Sequence, residues 1–331
     1  MEATRPAQGS SLQRAPQVAH EGGEKRVGDP SYMGAALAGM VQPQYRASRF
    51  VWVLLGALAG ALLYLLYRDV GAYFVGRWVR EKEYQHCLLV LPLVGWLIWR
   101  QRQKLTTEAK PGSWAGLAAV AGAALIYLLG LRVGANVIVG FSFPLLLFAL
   151  GWAWLGWPAF RHIAGPTLLT AFLVPVPRHM IGIAAMPMQV VSAHATALLS
   201  SVIGVATSAN GVTLTTPSTR FLVAQECSGF NSLLALLLIG CTVVQVLRMR
   251  LDLKLVLLLL IPPIVLVANI VRLLAVVLAS EFFGAKFALD ALIHGFTDII
   301  VYLAALTCLI LLADFLSSRG RTGELVAEPS G

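Results

Sequence analysis

Three short stretches of the chain hold side chains able to do chemistry together. "ECSGFNS" (226–232) sets Cys227 among Glu226, Ser228 and Asn231 at the mouth of an apolar run. A thiol in the first turn of a helix meets free N–H groups and the positive dipole end, which favour a thiolate. Asn231 stands four residues on, on the same helical face, and Gly229 admits close approach of a backbone or ligand. Taken alone, Cys227 reads equally well as a buried structural cysteine beside a Ser/Asn cap.

"NIVRLLAVVLAS" (269–280) puts Arg272 inside an apolar helix, with Asn269 three residues earlier on the same face. An arginine within the hydrocarbon slab costs about 2.5–3.5 kcal/mol on insertion scales and normally faces the bundle interior. The plainer alternatives are snorkelling to the headgroups or a structural pair with Glu226 or Asp298. "DALIHGFTDIIVY" (290–302) spaces His294, Asp298 and Tyr302 at i, i+4 and i+8, one stripe of a helix. A histidine one turn from a carboxylate suits general-base work, although alone it reads as an interfacial histidine. Cys, Arg and His at one membrane depth supply a nucleophile, a cation for an oxyanion and a base, the parts of an acyl transfer. His86, beside Tyr84 in "YQHC", is a second candidate base whose plainer role is an interfacial anchor.

These residues must be positioned by membrane helices. The 331 residues are 58% hydrophobic and only 12% charged, against about 25% charge in soluble proteins. Spans need about 17–25 apolar residues, and about eight candidates are expected: 50–67, 84–99, 113–131, 136–156, 163–177, 226–247, 255–280 and 292–316. The expected fold class is an all-α polytopic membrane protein. Residues 1–48 read as a disordered cytoplasmic tail, 49–316 as the membrane domain and 317–331 as a cytoplasmic C-terminal tail. The first apolar run is long enough to stay as a span, so no cleavable signal is expected.

Basic residues set the orientation. With the N-terminus inside, Arg100, Arg102, Lys104, Lys110, Arg161, Arg248, Arg250 and Lys254 face the cytoplasm. The loop after the first span, with Arg68, Arg77, Arg80 and Lys82, runs against this pattern, although Asp69, Glu81 and Glu83 accompany it. The net charge of +9 is therefore positive-inside bias; no concentrated basic face exists for nucleic acid. Segment 178–224 falls outside as a cap, with an interfacial helix followed by a short β-hairpin in "VTLTTPSTRFLVAQ". Cys87, Cys227, Cys241 and Cys308 lack disulfide or metal spacing, and no metal or organic cofactor is suggested.

"ECSGFNS", "NIVR" (269–272) and "HG" (294–295), in that order on three late helices, resemble the exosortase/archaeosortase family of integral-membrane transpeptidases. "YQHCLLVLPLVGWLIWRQRQKL" (84–105) and "FLVPVP" (172–177) resemble it more weakly. The resemblance covers residues 50–316. It implies Cys227 as nucleophile, Arg272 as its positive partner and His294 as base or acid, with no cofactor. The implied partner is the C-terminal sorting tail of an exported protein: a Pro-Glu-Pro-type motif, a transmembrane helix and a basic cluster. The implied location is the bacterial inner membrane, with the site at the outer face. A polysaccharide or lipid-intermediate flippase, with Arg272 on a phosphate, and a non-enzymatic export scaffold are the rival readings.

Overall fold

A computed structural model describes residues 49–326 apart from 111, 224–227, 248, 285 and 287–290, and leaves out the side chains of 49–52, 221, 291–294 and 320–326. The expected tail 1–48 lies outside the described residues, as do Glu226 and Cys227. Contacts divide the chain into residues 1–62 and 63–331. The first unit contributes to the described residues only the start of one helix, exposing Val53, Leu54, Leu58 and Leu62. All that follows concerns the second.

The protein is a polytopic α-helical membrane protein. In chain order its helices are α1 (Arg49–Arg80), α2 (Cys87–Arg100), α3 (Arg102–Glu108), α4 (Trp114–Val133), α5 (Asn136–Leu169), α6 (Arg178–Val202), α7 (Phe230–Val246), α8 (Leu251–Phe283) and α9 (Ala291–Val326). Among the described residues, six helices are long and apolar enough to cross a membrane, with Asn136–Leu173 counted as one, against the eight spans expected. α2, at 14 residues, rises only about 21 Å, short of a slab about 30 Å thick. α7, at 17 residues, is also short. The expected division between spans 136–156 and 163–177 falls at Gly156 (φ 72°, ψ 158°), a non-helical residue that separates two helices within Asn136–Leu169, and Phe148 and Phe160 on either side of it pack edge-on at 4.7 Å. α9 continues to Val326, beyond the expected span end at 316.

Small residues decide the tightest packing. Gly116 of α4 lies against Ala153 of α5, and Gly130 against Val139; a Cβ on either would meet backbone within 2.8 Å. Without a hydrophobic driving force in lipid, such close backbone approach is what holds helices together. The bend at Gly156 is equally specific. Its backbone conformation is open to glycine alone, and a Cβ there would collide with the Lys110 carbonyl.

α6 packs along α8. Ser192 of α6 bonds Asn269 of α8, and Ala193 and Ala197 share an apolar cluster with Leu273 and Val277 further along. The two helices thus run parallel and in step, because the small, half-polar face of α6 fits α8 lengthwise. α6 is itself of spanning length. The expected hairpin is present and gains a strand: β1 (Ser208–Asn210), β2 (Thr213–Thr215) and β3 (Arg220–Leu222) form an antiparallel sheet in the order β1-β2-β3. Leu214 of β2 is buried in the α6–α8 cluster. The turn residue Ser218 donates its hydroxyl to Glu281 near the end of α8.

α1 runs on to Arg80, past the expected span end at 67, and its end and the loop after it are locked together. Arg77 makes two 2.8 Å bonds to Glu81 and one of 3.1 Å to the Tyr84 hydroxyl. Arg178, opening α6, approaches Glu81 and Glu83 at 3.4 Å. Tyr84 donates to the Val176 carbonyl at 2.6 Å, and Cys87 donates to that of Phe172 at 3.1 Å. The stretches 84–105 and 172–177 therefore meet.

Two outcomes test this packing. Gly156→Ala, strained by roughly 1–3 kcal/mol, lowers the thermal midpoint in detergent, whereas Gly122→Ala, which meets nothing within 4 Å, leaves it unchanged or raises it. The Arg77 hydrogen bonds and the charges of Arg77 and Arg178 hold the Glu81 carboxyl below its ordinary value of 4.5. A depressed folded-state value means stabilisation that is present above the unfolded-state value and lost as pH falls through the folded one. The thermal midpoint therefore declines on acidification below about pH 4.5, and Glu81→Gln flattens that decline.

Candidate active site

α8 is longer than a bilayer is thick. Its 33 residues rise about 50 Å, whereas about 20 residues cross the hydrocarbon. Counted from Leu251, where Arg250 and Lys254 mark one boundary, the helix leaves the slab near Val271. Arg272 therefore stands at the opposite rim, where α8 goes on to carry α6 and the sheet. It is buried, at 9% exposed. Its Nε lies 2.5 Å from Oδ1 of Asp298 on α9, whose side chain is 51% exposed. A guanidinium at this depth is retained because a carboxylate meets it and water reaches that carboxylate. Of the plain alternatives, the structural pair with Asp298 is present, but it opens onto a cavity.

That cavity, about 260 Å³, is lined by Arg272, Asp298, Asn269, Asn231, Lys82 and Tyr302, among others. Asn269 is 3% exposed and donates its amide to Ser192 at 3.0 Å, so it also ties α6 to α8. Gly229 precedes α7 in the left-handed region, φ 79°. A Cβ there would sit 3.2 Å from that of Asn269. The positive φ lets the first turn of α7 press against α8. Ser228 is fully buried, and its hydroxyl accepts the Phe230 N–H at 3.1 Å, capping that turn.

Of the residues chosen from sequence, the structure brings Arg272, Asp298, Asn269 and Asn231 onto one cavity, with Ser228 just behind it. Glu226 and Cys227 lie outside the described residues, two and three positions before Gly229. His294 lies on α9, one turn before Asp298; its side chain is not among those described. His86 lines a different cavity of about 210 Å³ with Phe172, Val176 and Leu234. Burial holds its imidazole below the ordinary value, against a backbone hydrogen bond at Glu83 that raises it. Its Nε2 is 3.8 Å from the Cys87 sulfur, but Cys87 is itself engaged with Phe172.

Lys82 and Ser192 were not selected from the sequence. The signal for Lys82 was its place between two glutamates in a loop that broke the charge pattern. Glu81 and Glu83 turn toward Arg178, while Lys82 faces the cavity. Nothing in the sequence of α6 marked Ser192, whose role depends on a helix distant in the chain.

The family model described as transmembrane exosortase matches residues 78–311. No curated protein and no solved structure matches the chain. The matched span takes in every cavity residue named above, from Lys82 to Tyr302.

The pair itself is testable by a double-mutant cycle. Asp298→Asn and Arg272→Gln each lower the thermal midpoint, and the double variant loses less than their sum, with a coupling of about 1 kcal/mol.

Proposed function

Because the chain belongs to the transmembrane exosortase family, we propose that it is a membrane-embedded cysteine transpeptidase acting on the C-terminal sorting tails of exported proteins. The observation that carries this reading is the Arg272–Asp298 pair in a polar cavity at the membrane rim. Gly229, two residues after Cys227, lines the same cavity.

In the proposed reaction the Cys227 thiol gives its proton to His294, and the sulfur attacks the peptide carbonyl carbon. Negative charge gathers on the carbonyl oxygen, where Arg272 stabilises it; Asp298 fixes the guanidinium for that task. The C–N bond then breaks, the leaving amine takes the proton from His294, and a thioester remains on Cys227. An acceptor amine or water loses a proton to His294 and attacks the thioester, releasing the thiolate. Asn231 is proposed to orient the carbonyl, and Lys82, the second cation of the cavity, to hold an acidic side chain of the motif. Ser228 and Asn269 support the turn and the helix pair that frame this pocket.

From the family we infer a bacterial inner membrane as the location, and from the distribution of basic residues both termini cytoplasmic and the site at the outer face. The test is co-expression with a soluble domain fused to a tail made of a Pro-Glu-Pro motif, an apolar helix and an arginine cluster. Wild type removes mass from the fusion's C-terminus, whereas Cys227→Ala does not, while remaining inserted and folded. Lys82→Ala raises KM about tenfold, near 1.4 kcal/mol, with kcat little changed. Normal cleavage by Cys227→Ala rejects the nucleophile assignment.

A further inference from the structure

Directly adjoining the Arg272 cavity is a second space of a different character. A groove of about 500 Å³ runs between α8 and α9 and is lined only by hydrocarbon side chains and the Cys308 thiol. Ala268, Val301 and Ala305 line both spaces, so the groove continues the cavity without a break. It extends from Val271 to Leu260 on α8 and from Val301 to Leu312 on α9. That is about 16 Å along either antiparallel helix, or roughly half a bilayer core. The middle of its α9 side, between Val301 and Leu312, is made of small residues: Ala304 and Cys308 are exposed, and Ala305 is buried beneath them.

We propose that this groove is the docking site for the transmembrane helix of the substrate tail, a deepening that rests on the transpeptidase reading above. A chain that presents a peptide carbonyl to Arg272 and remains in the membrane leaves the cavity past Ala268, Val301 and Ala305. From there it enters hydrocarbon, where its backbone N–H and C=O groups have no water and must be satisfied within the segment. The occupant is therefore helical from the point of entry. Small side chains at Ala268, Ala304 and Cys308 let such a helix come close, which is how helices associate in lipid. A polar or charged segment has no partner along these walls. Specificity thus divides between two neighbouring spaces: the polar cavity reads the motif, and the groove reads an uninterrupted apolar helix of close-packing shape.

Cys308 offers a built-in probe. It lies ten residues along α9 from Asp298, about 15 Å down the groove at 1.5 Å per residue. Single cysteines are placed in turn through the apolar helix of the tail fusion, from about seven to fourteen residues beyond the motif, and membranes are treated with a disulfide-forming oxidant. The expected result is a cross-link to Cys308 centred about ten residues beyond the motif and repeating with helical period. Cys308→Ser abolishes it. In parallel, Ala304→Phe, which fills the groove, cuts tail removal at least tenfold, whereas Ile310→Phe on the opposite, lipid-facing side leaves it unchanged. Absence of a cross-link at every position, or a Cys308–Cys308 bond between two copies in its place, overturns the docking site. The cross-link and the cleavage report separately. A cross-linked tail that wild type never cuts sinks the transpeptidase reading and keeps the groove; normal cutting by Ala304→Phe with no cross-link does the reverse.

Discussion

An arginine at the point where α8 leaves the hydrocarbon is tolerable only if a carboxylate meets it, and Asp298 on α9 does so. That single pair constrains much of the rest. It fixes the relative height of α8 and α9, because both charges must lie at the rim, where water still reaches Asp298. It requires a polar pocket around them, since a pair sealed in hydrocarbon loses more in desolvation than it regains in attraction. Lys82, Asn231, Asn269 and Tyr302 supply that pocket.

The neighbouring elements are shaped by the same requirement. α8 continues past the rim, and its projecting end would be a bare apolar rod in water. α6 and the three-stranded sheet cover it through Ala193, Ala197, Leu214, Leu273 and Val277. The Ser192–Asn269 bond holds α6 in step, and Gly229 brings the first turn of α7 onto the same stretch of α8. Below the rim there is no polar demand, and the wall between α8 and α9 turns to hydrocarbon. Polar cavity above and apolar groove below follow from one boundary crossing one helix pair.

The end of α1 and the loop after it show how local pairing resolves a conflict in the charge pattern. Their basic residues oppose the positive-inside bias of the other connections, yet Arg77 is neutralised by Glu81 and stacked on Tyr84, with its Cζ 4.6 Å from the ring centre. Arg178 joins from α6. Arg80 stays exposed, and Lys82 turns to the cavity. The exception to the pattern is thus partly a structural clasp and partly a contribution to the site.

Composition and apolar run length by themselves determined the class, because a membrane helix must satisfy its own backbone and a span leaves a long apolar signature that needs no partner. They also marked Arg272, since a charge amid leucines and valines is conspicuous, and they set Asp298 one turn from His294. Other features were decided only in three dimensions. The packing of α6 against α8 depends on Ser192 finding Asn269, 77 positions away. The break of 136–169 into two packed helices rests on the freedom of Gly156 to leave helical geometry against the Lys110 carbonyl. Lys82, flanked by glutamates, gave no sign of which way it would face until Arg178 drew those glutamates aside. Periodicity reports the face a helix turns from water; in a bilayer most faces are apolar, so only contacts between helices choose the neighbours, and with them the site.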